Sequence, residues 1–197
     1  MLVFFKERLV LLSVPKTGTT AYQTALRARA DIVVSDPPEL KHAPIYRYDR
    51  FFRPIFEKMF GVEMEIMAVV RDPVDWLGSW YRYRQRPFLR GRPKATHDIS
   101  FDEFVLAYLR GKRPTFANVG SQARFLTPRP GGAPARHVFR YENQDGIRSF
   151  LEERLQTDIY LQRENVSPEM TLELSKDVEE KYRRKCPEEF ELHASAR

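Results

Sequence analysis

The stretch Leu9-Val10-Leu11-Leu12-Ser13-Val14-Pro15-Lys16-Thr17-Gly18-Thr19-Thr20 constrains the chain more than any other. Its opening run from Leu9 to Val14 is rich in Leu and Val, as a buried strand requires. Gly18 follows, and glycine admits a tight backbone path that a side chain would block. Thr19 and Thr20 open a helical pattern through Leu26 to about Arg29, with Thr20 and Gln23 at capping-box spacing. A strand that turns at once into a helix aims orphan N–H groups and the positive end of the helix dipole at one place. Lys16 and the hydroxyls of Thr17, Thr19 and Thr20 fall at that same place, so the stretch is expected to hold an anion, a phosphate above all.

Glu65 to Val70 is the second strong strand, almost without polar residues, as expected where helices cover both faces of a sheet. Arg71-Asp72-Pro73 ends it, and a helix is expected from about Val74 to Arg86 with Asp72 or Pro73 near its start. Leu2 to Phe5 reads either as a hairpin partner of Leu9–Val14 or as one interrupted strand with it. Ile32-Val33-Val34 is a short apolar run, and His137 to Tyr141 a third strand. Ser100 and Glu103 form a capping box for a helix through Leu109, and Asp145 to Leu155 is a helix with Ile147, Phe150, Leu151 and Leu155 on one face. Ser167-Pro168 and Ser175 read as caps on the last helices. From Tyr48 to Phe60, Phe51, Phe52, Ile55, Phe56, Met59 and Phe60 recur at helical spacing and are expected in the core. Helices between apolar strands argue for an α/β domain over residues 1–197 with a mostly parallel central sheet. In such sheets ligands sit beyond the carboxyl ends of the strands, where Lys16 and Arg71 both fall.

Charge sharpens this expectation. The net charge is +6, but Tyr81 to Lys94 holds Arg82, Arg84, Arg86, Arg90, Arg92 and Lys94 with no acid. Ala123 to Arg140 adds Arg124, Arg129, Arg136 and Arg140, again without an acid, whereas Glu169 to Glu191 is acidic. An anionic partner is expected near the middle of the chain. The single cysteine, Cys186, leaves no internal disulfide and no multi-cysteine metal site. No apolar run approaches the roughly 20 residues needed to span a bilayer. Lys6, Glu7 and Arg8 interrupt the first apolar residues, unlike a signal peptide, and the expectation is a soluble cytoplasmic protein.

Pro15-Lys16-Thr17-Gly18-Thr19-Thr20 departs from the ordinary nucleotide-binding P-loop because its lysine precedes the glycine. It resembles instead the 5′-phosphosulfate loop of sulfotransferases that use 3′-phosphoadenosine 5′-phosphosulfate (PAPS). Arg71-Asp72-Pro73-Val74-Asp75-Trp76-Leu77-Gly78-Ser79 resembles the 3′-phosphate motif of that family, in which an arginine follows a strand and a serine lies eight residues on. A guanidinium offers phosphate a planar fork of donors, and the serine hydroxyl adds one more. Asp75 stands where the family often has a basic residue. Val138-Phe139-Arg140-Tyr141-Glu142-Asn143 resembles the family's late strand, and Asn165-Val166-Ser167 a tail segment of its bacterial and carbohydrate-directed members.

The resemblance implies a P-loop NTPase-like three-layer fold and transfer of a sulfuryl group from PAPS to a hydroxyl or amine, with PAP as product and no metal. It implies a cofactor site of Lys16, Thr17, Gly18, Thr19, Thr20, Arg71 and Ser79, with Lys16 also stabilising the leaving phosphate. Tyr141 either stacks on adenine or packs. A base is needed, and His42 is the choice among the four histidines, with His97 in reserve. Lys41 beside it discourages a second charge and keeps the imidazole neutral. Lys41 and Arg82 are candidate contacts to the acceptor, a small molecule, carbohydrate or lipid headgroup rather than nucleic acid. Stable insertion into a membrane is not expected. Loops 87–98 and 112–135 are expected to shape the acceptor pocket, and Ser121-Gln122 to touch cofactor or acceptor. The competing readings are a kinase with Asp72 holding magnesium and a non-enzymatic basic module that binds anions or RNA.

Overall fold

The computed structural model describes residues 1–161 and 170–197. Strands β1 (Leu2–Phe4) and β2 (Leu9–Leu11) form a hairpin with Leu2 opposite Leu11 and Phe4 opposite Leu9. The turn closes through Arg8 N–H to Phe5 C=O at 3.1 Å, which makes the pair antiparallel. Helix α1 (Thr19–Leu26) follows, then β3 (Ile32–Val33), then the short helices α2 (Pro38–Lys41) and α3 (Ile45–Arg47). After two π-helical turns come β4 (Glu65–Val70), α4 (Pro73–Arg84), α5 (Phe101–Tyr108) and α6 (Gln122–Leu126). Strand β5 (His137–Arg140) and α7 (Gln144–Leu155) precede α8 (Lys176–Lys185) and α9 (Pro187–Ser195).

The protein is α/β, with a mixed sheet of order β3-β1-β2-β4-β5. Its centre is parallel, β2 against β4 and β4 against β5, while β1 and β3 run antiparallel at one edge. The parallel expectation therefore holds for the strands that carry the motifs and fails for the edge that the hairpin builds. Successive strand residues face opposite sides. Val3, Val10, Ile66, Ala68 and Val70 pack under Ile45, Tyr48, Phe56 and Phe125. Leu9, Leu11, Met67, Val69 and Phe139 pack under Tyr22 and Leu26 of α1 and Ile147 and Leu151 of α7. A further cluster joins Trp76 and Tyr81 of α4 to Phe104 and Tyr108 of α5 and Tyr182 of α8.

Several local readings hold and others need correction. The α5 capping box forms in both directions, Glu103 N–H to Ser100 Oγ at 3.2 Å and Ser100 N–H to Glu103 Oε2 at 2.7 Å. Ser175 is the N-cap of α8 by position, without a side-chain bond. The Thr20–Gln23 box does not form, because Gly18 is the N-cap of α1 and the Gln23 amide donates to Ser13 Oγ at 2.9 Å. The aromatic run is core only in part. Phe56 is buried, but Phe51 is 58% exposed, Met59 71% and Phe60 57%. Tyr48–Phe52 and Ile55–Met59 wind as π-helix, and the wider turn carries a stripe spaced for an α-helix away from the core. Ser167-Pro168 and Asn165-Val166-Ser167 lie outside the described residues. Among the described residues no helix is long and apolar enough to cross a membrane.

Candidate functional site

Beyond the carboxyl end of β2 the chain enters its loop through two fixed points. The Pro15 carbonyl accepts from Trp76 Nε1 of α4 at 2.8 Å, and Thr17 Oγ1 donates to the Val14 carbonyl at 2.8 Å. Thr17 thus spends its proton on shaping the loop. Lys16 and Gly18 are both left-handed, at φ 67° and 71°. Left-handed residues spaced this way turn successive N–H groups to one side, the geometry of an anion nest. Among the described residues, no backbone N–H from Lys16 to Thr20 donates to a backbone carbonyl. Thr19 is buried, and Thr20 Oγ1 lies 3.5 Å from the Lys41 ammonium.

The Lys16 side chain runs along α4, its ammonium 4.6 Å from the centre of the Tyr83 ring and 5.8 Å from that of Trp80. Burial, and then repulsion from Arg86, Arg71 and Arg82, bring its pKa down to about 8. Four cations therefore share one neighbourhood. Asp75 bridges two of them, accepting from Arg71 Nε at 2.5 Å and from an Arg82 terminal nitrogen at 3.0 Å. Asp75 is thus a bridge between two guanidiniums. Ser79 lies one helical turn beyond Asp75 on the same face of α4 and is 4% exposed.

Arg71 is held as firmly by its backbone as by its side chain. The Gln122 amide accepts from Arg71 N–H and donates to the Arg71 carbonyl, both at 2.9 Å. Glu142 Oε1 accepts from Asp72 N–H at 2.9 Å. Asp72 Oδ1 caps α4 by accepting from Val74 N–H at 2.9 Å and Asp75 N–H at 3.0 Å, which takes that oxygen out of contention as a metal ligand. Tyr141 completes the cluster. The Arg71 guanidinium lies 4.4 Å from its ring centre, and the ring packs so closely on Gly18 that a Cβ there would stand 2.8 Å from Cε2.

His42 sits on the other flank of the loop. Its Nδ1 lies 2.8 Å from the Ser13 carbonyl, which can only accept, so Nδ1 carries the proton and Nε2 keeps its lone pair. Burial, with Lys41 adding to it, depresses the pKa below the ordinary histidine value against the opposing pull of the Ser13 bond. The imidazole is neutral at pH 7. With Val14, Pro15 and Trp76 it lines a cavity of about 300 Å³. The other histidines are placed differently. His137 contacts Glu65 at 2.9 Å and His193 contacts Glu142 at 3.1 Å, while His97 follows Thr96 in the loop after α4, with Nδ1 buried and without a partner among the described residues.

The structure thus brings Lys16 to Thr20, Arg71 and Tyr141 to one place, puts Lys41 and His42 beside it, and ties Arg82 to Asp75. Sequence reading missed the positioning roles of Gln122, Glu142 and Trp76, whose bonds span 51 to 70 residues and leave no local signal. No family model matches this chain, no curated protein matches it and no solved structure matches it, so the motif resemblance stands on these residues alone.

Proposed function

We propose that the chain is a PAPS-dependent sulfotransferase built on a P-loop NTPase-like arrangement. The observation that carries the reading is the meeting of the Lys16–Thr20 loop with Arg71 beyond adjacent parallel strands, in a neighbourhood of four cations of which two are paired with Asp75. Such crowding is costly until an anion joins it, and a 3′,5′-bisphosphate has the charge to do so. The unbonded N–H groups of the loop would take the 5′-phosphate, and Arg71, with Ser79 one helical turn beyond its partner Asp75, would take the 3′-phosphate. When bound, PAPS supplies a sulfuryl group whose bond to the 5′-phosphate oxygen breaks as the acceptor oxygen or nitrogen bonds to sulfur, the electron pair leaving with PAP.

His42 takes the acceptor proton at Nε2, its neutral state kept by burial and by Lys41. Lys16, protonated, faces the negative charge that develops on the leaving oxygen. Gln122 and Glu142 hold the Arg71-Asp72 turn so that the guanidinium needs no reorganisation at the moment of transfer. Calorimetric titration with PAP, AMP and ATP–magnesium tests the reading. PAP should bind without metal and at least about tenfold more tightly than AMP, and Arg71→Ala should remove that preference. A preference for ATP with magnesium would overturn it in favour of a kinase.

A further inference from the structure

The cavity beside His42 does not end at the imidazole. A second cleft of about 350 Å³ continues from it, and Arg113, Asn118 and Arg124 line both. The first compartment has an apolar wall that includes Val14, Pro15 and Trp76, while the second adds Arg110 and Gly111. Among the described residues no acidic residue lines either. Arg113 is fixed in place, donating to the Tyr108 carbonyl at 2.6 Å and the Gly120 carbonyl at 3.0 Å, with its guanidinium 3.8 Å from the centre of the Tyr108 ring. Those partners orient the charge without neutralising it. Arg110, Arg113 and Arg124 form no ion pair among the described residues. The buried carboxylate nearby, Glu189, is turned instead to Ser121 and to Gln122 N–H.

We infer that the acceptor is itself anionic, a hydroxyl compound whose carboxylate or phosphate ester is held by Arg110, Arg113 and Arg124 while its apolar face lies along Pro15 and Trp76 and its hydroxyl meets His42. This inference rests on the sulfotransferase reading. The chemistry is that of one guanidinium fixed in place, Arg113, with exposed Arg124 lining the same cleft, an arrangement that binds oxyanions through charge-assisted hydrogen bonds. It also separates the roles of the cations: the Lys16–Arg71 group serves the donor and the Arg113–Arg124 group the acceptor.

The test is calorimetric binding to the protein already saturated with PAP. The probes are two matched pairs, 4-hydroxybenzoate against 4-hydroxybenzamide for the carboxylate and glucose 6-phosphate against glucose for the phosphate ester. At least one anionic member should bind at least about tenfold more tightly than its neutral partner, and the stronger pair identifies the anion. Arg124→Gln should abolish that preference and leave PAP affinity within about twofold. Arg124 is exposed, and among the described residues its side chain makes no hydrogen bond or ion pair, so this variant stays informative if Arg113→Gln unfolds. Equal binding of charged and neutral members, or a preference that survives Arg124→Gln, overturns the inference. Failure of PAP to bind at all would sink the underlying reading instead.

Discussion

The cations on the two flanks of the Pro15–Thr20 loop are arranged on different principles. Lys16, Arg71, Arg82 and Arg86 crowd one flank, and the crowding is visible in Lys16, whose pKa is brought down to about 8. Among the described residues the carboxylate paired with this group is Asp75, which bonds Arg71 and Arg82. On the other flank Arg113 is held by carbonyls and an aromatic face, and the titratable group beside it, His42, is kept neutral. One flank is a charged site with an unfavourable balance until an anion arrives. The other is a quieter cleft in which an imidazole keeps its Nε2 lone pair. The proposed transfer would use that asymmetry, since its donor would bring the charge and its acceptor would have to lose a proton.

The comparison breaks most directly if Lys16 and His42 are removed in turn. Lys16→Ala should lower turnover by about 100–1000-fold, because in the proposed transfer its charge would face the leaving oxygen. His42→Ala should lower turnover by about 100-fold while PAP affinity stays within about twofold. Steady-state rates on a productive acceptor, set beside PAP titrations, separate the two. Full activity in His42→Ala would remove the base from the account.

Gly18→Ala addresses how the loop is held. Its φ of 71° is left-handed, and the added Cβ would meet Tyr141 Cε2 at 2.8 Å. The backbone cost is about 1–2 kcal/mol, and a melting scan should show a fall of about 2–8 °C. PAP affinity should fall as well, because Tyr141 also supports Arg71. An unchanged affinity would mean that the loop and Arg71 are independent. Asp75→Asn is the mildest change. It removes the charge that offsets Arg71 and Arg82 while keeping a hydrogen-bonding group, and PAP should bind about threefold more tightly. Weaker binding would make Asp75 a positioning residue above all.

The parts of this arrangement that were legible in the sequence are those set by short-range rules. The Leu9–Val14 and Glu65–Val70 runs, the Asp72 cap, the Ser100–Glu103 box and the left-handed glycine all follow from neighbouring residues. The aromatic run from Tyr48 to Phe60 misled because its stripe was phased for 3.6 residues per turn, whereas the chain winds more widely on either side of Pro54. The antiparallel edge left no signal for the direction of β3, a strand of only two residues. Gln122 reads as an ordinary polar residue until the fold sets it against Arg71. Arg113 and Arg124 share a cleft because α5, α6 and the loop between them fold together beside Pro15, a juxtaposition that spacing does not encode.

The central claim is that the Lys16 flank is prepared for an anion, and proton uptake on binding tests it most directly. In the free protein Lys16 is about half protonated at pH 8, and a bisphosphate beside it favours the charged form. PAP titrated at pH 8 in two buffers of different ionisation enthalpy should therefore draw up to about half a proton per site from the buffer. Uptake should vanish in Lys16→Met and fall toward zero at pH 6.5, where the ammonium is already formed. PAP that binds with no proton uptake at pH 8, or with uptake that persists in Lys16→Met, would contradict the account.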